Sequence, residues 1–189
     1  MTTLHEFLNQ FYNVDAGVVE KLWKLGVDRK YNKGDVMTHE GQVQRDFLWV
    51  EEGVQMSYLN HDGDIHVIAF TYPPSFSGIP ESFLLQKPSL YELTALTESK
   101  VRAFSHQTLQ LLCDQHRSLE KAFSRQTELL LEGVIKRHLE RQTMTIEQRF
   151  KEFARRSPHL FQLGPHKYIA NYLHINHTNF SKLFNQVKM

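Results

Sequence analysis

Between residues 26 and 106, glycines at 34, 41, 53, 63 and 78 cut the chain into short runs rich in β-branched and aromatic residues. The runs are Val27–Tyr31, Val36–His39, Phe47–Glu51, Val54–Leu59, Ile65–Tyr72, Tyr91–Thr97 and Val101–Phe104. Strands this short, separated this regularly by turn residues, predict an antiparallel sandwich or barrel. His61-Asp62-Gly63-Asp64 is expected to be a hairpin turn, with Gly63 at positive φ. Pro73-Pro74 ends a strand. Ser75 to Leu90 fits no strand, and Ile79, Phe83 and Leu84 within it suggest one short helix.

Helical spacing flanks this region. Leu4, Phe7, Leu8 and Phe11 predict an amphipathic helix over residues 3–12. Asp15 caps a second helix, with Val18, Val19 and Leu22 inward. Gln107–Gln115 reads as a helix, and a long one follows from Ser118 to about Gln142. In it Leu119, Phe123, Leu130 and Val134 have coiled-coil spacing, and Leu129, Leu131, Ile135 and Leu139 widen the stripe. Such a helix needs cover on more than one side. The β domain supplies one cover, and a second subunit or the C-terminal domain the other; a homodimer is the expectation. Thr143 or Thr145 caps the next helix, which turns Ile146, Phe150 and Phe153 inward and ends before Ser157-Pro158. Residues 157–165 are expected to be a loop with Leu160, Phe161 and Leu163 tucked beneath it.

Pro165–Met189 carries the clearest motif. Counting His166 as position 1, apolar residues fall at 4, 8, 10, 15 and 18, with Ala170 at position 5. Two short helices crossing steeply need this pattern: the small residue admits the second helix, and Ile175 plugs the turn. His166–Leu173 would be the first helix and His174-Ile175-Asn176 the turn. The second helix would point Phe180, Leu183 and Phe184 inward. Few residues remain beyond it, so no wing strand is expected there.

Charge separates the two ends. The net charge is +1, but residues 1–135 hold 12 Lys/Arg against 18 Asp/Glu, a balance of −6. Residues 136–189 hold 10 against 3, a balance of +7. A basic segment carrying a helix-turn-helix is the footprint of a nucleic-acid binder. The single cysteine, Cys113, excludes an internal disulfide, a four-thiolate cluster and a structural zinc finger, and reads as a buried apolar residue. There is no long apolar run, and the start MTTLHEF resembles no leader. A soluble, cytoplasmic protein with no membrane partner is expected.

In order and spacing, Lys33-Gly34-Asp35, Glu40-Gly41, Glu52-Gly53, Asp62-Gly63, Phe76-Ser77-Gly78, Glu81-Ser82-Phe83-Leu84, Ala95–Ser99 and Lys167–Leu173 resemble the Crp/Fnr superfamily of transcription regulators. The resemblance spans nearly the whole chain. It implies an α+β protein: an antiparallel, jelly-roll-like β-roll of the cyclic-nucleotide-binding type with N-terminal helices (residues 1–116), a long dimerisation helix (117–142) and a helix-turn-helix domain (143–189). It also implies a homodimer paired through Leu119, Phe123, Leu130 and Val134, a palindromic double-stranded operator, RNA polymerase as a further partner, and no enzymatic role. Members that bind cyclic nucleotides hold the ribose with a Glu and grip the phosphate with an Arg-Ser pair. Here Glu81 matches the Glu, but Ser89-Leu90 stands in place of Arg-Ser, with Lys87 nearby. An effector pocket would thus involve Gly78, Glu81, Ser82, Lys87, Ser89 and Leu90. The alternative is a pocket filled by Phe76, Phe83 and Tyr72. Without a guanidinium, burying a phosphate costs several kcal/mol, roughly the whole of a micromolar affinity. No cofactor and no cAMP response are expected; an effector of another kind stays open.

On the second helix the outward residues are His177, Thr178, Ser181, Lys182 and Asn185, with Asn176 at its start. Lys182 suits a guanine edge, and Asn179 or Asn185 an adenine. No Arg lies in this helix, so much of the affinity is expected from Lys167, Arg149, Arg155 and Arg156. His174 replaces the usual turn glycine. Two rival readings differ in class. One is a regulator-like protein that has lost DNA binding and acts through protein contacts. The other is a cupin-like metalloenzyme, which would need converging ligands; His61 with His66, and His39 with Glu40, are poorly spaced for that.

Overall fold

The computed structural model describes residues 2–163 and 165–186. The end of the helix-turn-helix domain, residues 187–189, lies outside the described residues, as does Gly164. Two short helices open the chain, α1 (Leu4–Asn9) and α2 (Ala16–Leu25). Thr3 and Glu6 close a reciprocal capping box on α1, and Asp15 caps α2 by accepting from the Gly17 N–H at 2.8 Å. Eight strands follow: β1 (Val27–Tyr31), β2 (Val36–Thr38), β3 (Asp46–Glu52), β4 (Gln55–His61), β5 (Asp64–Thr71), β6 (Ser75–Ser77), β7 (Glu92–Ala95) and β8 (Ser99–Ser105). They form two antiparallel sheets of order β1-β8-β3-β6 and β2-β7-β4-β5. Seven strands coincide with the seven runs to within one or two residues at most ends. The eighth, β6, lies in the stretch that fitted no strand. Three residues, Ser75–Ser77, pair with Val50–Leu48, and the pattern is too short to show a period. The expected helix follows it as α3 (Pro80–Leu85).

Two glycines are demanded by geometry. At the β4–β5 hairpin both central residues have positive φ, Asp62 at 54° and Gly63 at 89°, which matches the twist of the paired strands. At Gly53 (φ 94°) a Cβ would sit 2.3 Å from the Glu98 carbonyl oxygen. No other residue allows the β3–β4 turn to pass so close to the start of β8.

Alternation along the strands creates three cores. Leu48, Val50, Leu93, Val101 and Ala103 fill the roll between the sheets, with Ile79. The opposite face of β3 and β8 turns Phe47, Trp49 and Phe104 outward, where they pack with Phe76 under α1, α2 and two later helices. These are α4 (His106–Gln115) and α5 (Arg117–Thr143). The outer face of the second sheet is covered by the C-terminal domain, with Met56, Val67 and Leu96 joining its core. Both sheets are thus buried on two faces. That is why β3 reads as a continuous apolar run instead of an alternating one.

The C-terminal domain comprises α6 (Ile146–Arg156), α7 (Leu160–Leu163), α8 (His166–Leu173) and α9 (His177–Gln186). Thr145, not Thr143, caps α6, in a box with Gln148. The loop expected over residues 157–165 contains a helical turn, α7, which buries Leu160 and Phe161 but leaves Leu163 exposed. Fully buried Phe150 and Phe180 meet at 5.4 Å between ring centroids, and Phe161 lies against both. Losing either of the first two to alanine would cost about 3–5 kcal/mol. Among the described residues, no helix is long and apolar enough to cross a membrane.

Candidate functional site

The helix-turn-helix forms with the spacing expected. Ile169, Ala170, Leu173, Ile175 and Phe180 are buried, and Leu183 and Phe184 are half-buried against them. His174 adopts the left-handed conformation (φ 52°, ψ 47°), and its N–H donates to the Ala170 and Asn171 carbonyls. A turn position that favours glycine is therefore held by histidine, one of the more tolerant side chains there.

The outer face of α9 presents His177, Thr178, Lys182 and Asn185 to solvent, with Ser181 half-buried beside them. One residue assigned to DNA contact also has a structural role. Asn176 caps α9: its Oδ1 accepts from the Asn179 N–H at 2.8 Å. Asn179 is half-buried. Lys167 is exposed, its ammonium 4.8 Å from the Tyr168 ring centroid.

The flanking arginines divide. Arg149 is a structural clamp: it donates from Nε to the Leu173 carbonyl (3.1 Å) and from Nη1 to the Met144 carbonyl (2.8 Å), closing the ends of α8 and α5. Arg156 pairs with buried Glu140 at 3.0 Å and joins α6 to α5. Arg155 is exposed and paired with Glu152 at 3.0 Å. Two of the four flanking side chains expected to meet phosphates thus hold helices together. Their partners lie 16 to 24 residues away in sequence or on helix-end carbonyls, which no spacing rule reveals.

The six residues proposed for an effector pocket divide between buried ties within one loop and side chains that face solvent. Ser82 is buried and locks the segment after α3, accepting from the Gln44 N–H (2.9 Å) and donating to the Lys87 carbonyl (2.5 Å). Ser89 is buried too; its hydroxyl donates to the Tyr91 carbonyl (2.6 Å), and its backbone pairs with Gly41 and Gln42. Leu90 is 75% exposed, and Glu81 and Lys87 face solvent. Glu81 accepts from the Tyr91 hydroxyl at 2.9 Å, and burial with this nearby carboxylate pushes the phenol pKa up. A Cβ at Gly78 would press on the Phe47 ring. Nor do Phe76, Phe83 and Tyr72 fill the roll. Phe76 and Phe83 stack on either side of Phe47 outside it, and Tyr72 bonds Ser157 at 2.6 Å. Spacing along the chain could not reveal that their polar groups close a loop.

The expected dimer seam also divides. Leu119 is fully buried within its own chain and so cannot meet a second copy; Phe123 packs against Phe47 and Phe76. Further along α5, Leu129, Leu130, Leu131, Val134, Ile135 and Leu139 are 38–59% exposed. The C-terminal domain covers the second sheet and leaves this stripe open.

Among the described residues, no three His, Cys, Asp or Glu side chains come together as a metal site. Burial, with Glu120 and Asp114 nearby, pushes the Cys113 thiol up to about 11, so it is protonated at neutral pH.

Residues 28–116 match the family described as the cyclic nucleotide-binding domain. A search of curated proteins finds no match. Among solved structures, FixK2 from Bradyrhizobium japonicum is similar at a TM-score of 0.70 and 20% identity, over 85% of this chain and 83% of that one. CLP of Xanthomonas campestris, a c-di-GMP responsive global regulator, is similar at 0.65 and 16% identity, over 91% of each chain. The catabolite activator protein of Thermus thermophilus is similar at 0.59 and 17% identity, over 95% and 85%. These likenesses establish the shared α+β fold.

Proposed function

We propose that this cyclic-nucleotide-binding-type fold serves a dimeric, sequence-specific DNA-binding regulator of the Crp/Fnr kind, with α9 as its reading helix. The observation that carries this is the formed helix-turn-helix, with α9 exposing Thr178, Lys182 and Asn185 on one face. Short polar side chains at the start of α9 suit phosphate contacts, and Lys182 reaches furthest for a base edge. A symmetric pair of such helices reads a palindrome with half-sites about 34 Å apart. Selection of bound sequences from random DNA is expected to yield that palindrome. Lys182→Ala should relax preference at one base of each half-site by about fivefold or more in mobility-shift competition, since such a contact is worth ~1–3 kcal/mol. An unchanged preference would remove Lys182 from the base-reading role, and a selection without any motif would overturn DNA reading itself.

The same reading holds that cAMP is not the effector. Ser89 spends both its hydroxyl and its backbone on the loop, and Leu90 points to solvent, so neither replaces a phosphate-gripping arginine. Calorimetry with cAMP is expected to show no heat at low micromolar concentrations; a clear isotherm there would reverse the assignment. The weakly charged α9 also leaves protein-mediated action open to test, and the random-DNA selection distinguishes it.

A further inference from the structure

The C-terminal domain hangs from α5 on a two-residue link, Met144 and Thr145, both extended (φ −97°, ψ 144° and φ −65°, ψ 162°). Its joint with the roll rests on a few ties. Asn171 holds α8 to the Ile65 and Val67 backbone of β5, and the Tyr72 hydroxyl meets Ser157 at 2.6 Å. Phe70 packs on Tyr172 and Phe153 at 5.5 and 6.4 Å between centroids. Each side also keeps a core of its own: Leu48, Val50 and Val101 within the roll, and Phe150, Phe161 and Phe180 within the domain. The joint can therefore part without either side unfolding.

Two histidines stand in this joint with nothing to receive their charge. The His159 ring lies 4.2 Å from that of Tyr72, the titratable group packed on it, and its Nε2 is buried without a hydrogen-bond partner. Protonation would leave a charged donor unpaired there, and burial already holds this ring below 6.5. His174 lies three residues beyond the Asn171 tie. Near it stand Arg141 of α5, Arg149 of α6 and His66 of β5, and burial first, then these groups, hold its pKa below 6.5 as well. His66 sits between the two β5 residues that Asn171 holds, so an imidazole stands on each side of the tie. Arg149 cannot turn away, because the Leu173 and Met144 carbonyls fix it. Among the described residues, no carboxylate acts on either ring. On α8, Tyr172 lies near Tyr72, Arg137, Arg156 and Glu140; burial pushes its phenol up, and Glu140 is already paired with Arg156 at 3.0 Å.

We infer that this joint is an acid-opened latch: on mild acidification the unit α6–α9 parts from β5 while the roll and the domain each stay folded. Opening returns both rings to water, where they take up protons in the ordinary histidine range. A histidine kept neutral in the closed form then favours the open one by up to about tenfold near pH 5.5, and the two act together. The latch itself does not depend on DNA reading. Only its consequence rests on the reading of the chain as a dimeric regulator: acid frees α9 from the position the roll sets for it.

Hydrogen exchange of the full chain without DNA, corrected for the intrinsic pH dependence of exchange, tests the latch at single amides. The Val67 N–H reports it, because its acceptor is Asn171. Val67 should exchange at least about tenfold faster than amides of β3, β8 and α6, at a rate that low denaturant leaves unchanged, the mark of a local opening. From about pH 7.5 to about pH 5.5 its protection should fall about tenfold. The double variant His159→Phe, His174→Asn keeps a ring on Tyr72 and a tolerant residue at the turn, and should reduce that fall to less than about twofold. Constant protection at Val67 across this range would overturn the latch. So would exchange of Val67 only together with β3, β8 and α6, which is general unfolding, or an equal fall in the double variant, which places the trigger elsewhere. Should that variant fail to fold, His174→Gly, which suits the left-handed turn, is expected to lessen the fall by about threefold, and an undiminished fall would count against the latch. No DNA enters these measurements, so the DNA-reading proposal stands or falls separately.

Discussion

His159 and His174 occupy the contact between the C-terminal domain and the β-roll. The His159 ring lies 4.2 Å from that of Tyr72, with Nε2 buried and unpartnered, and burial lowers its pKa below 6.5. His174 is lowered by burial first, then by Arg141, Arg149 and His66. Both groups bind a proton more weakly folded than unfolded. Stability is therefore full above the ordinary histidine value and declines as pH falls through 6.5 and then through the lowered folded values. Denaturant midpoints should fall between about pH 7.5 and 5.5, and His159→Phe, which keeps the ring on Tyr72, should flatten part of that decline. A midpoint indifferent to pH in the wild-type chain would contradict this account.

At the scale of elements, α5 has two halves with different jobs. Its first half gives Leu119, Ala122 and Phe123 to its own chain. Its second half exposes a stripe that includes Leu130 and Val134, and a contiguous apolar face of this kind calls for a partner. A Leu130→Glu, Val134→Glu double variant is expected to sediment as a monomer at concentrations where the wild type is a dimer, and to lose operator binding with little change in its circular dichroism. Persistence of the dimer would move the interface elsewhere. Leu119→Ala, by contrast, belongs to folding: a fully buried leucine costs about 2–5 kcal/mol on truncation.

The whole molecule is joined by a contact between distant segments. β5 is an edge strand, and α8 lies along it. The Asn171 side chain accepts from the Val67 N–H at 2.8 Å and donates to the Ile65 carbonyl at 2.6 Å. One amide thus mimics a neighbouring strand, blunting the edge and fixing the helix-turn-helix to the roll. Asn171→Ala leaves both backbone groups unpaired and should cost about 1–3 kcal/mol. Hydrogen exchange should quicken at Val67 and in α8 before the roll opens; unchanged protection at Val67 would show that the amide is not the fastener.

Local signals determined much of this. Turn glycines, short β-branched runs and helical apolar spacing placed seven of the eight strands, and the chain order of the parts marked the helix-turn-helix and its αL turn at His174. Each follows from interactions within a few residues, which spacing records directly. The solvent-facing side of α9 was legible for the same reason, since an outward face is the complement of an inward one. Tertiary structure alone decided the rest. Only the fold turned Arg149 and Arg156 from phosphate contacts into clamps, because their partners are helix-end carbonyls and a buried glutamate set by packing. Only the fold closed the Ser82–Ser89 loop on itself, because the Gln44 N–H that Ser82 accepts from and the Gly41 and Gln42 backbone that Ser89 meets come from a segment far earlier in the chain.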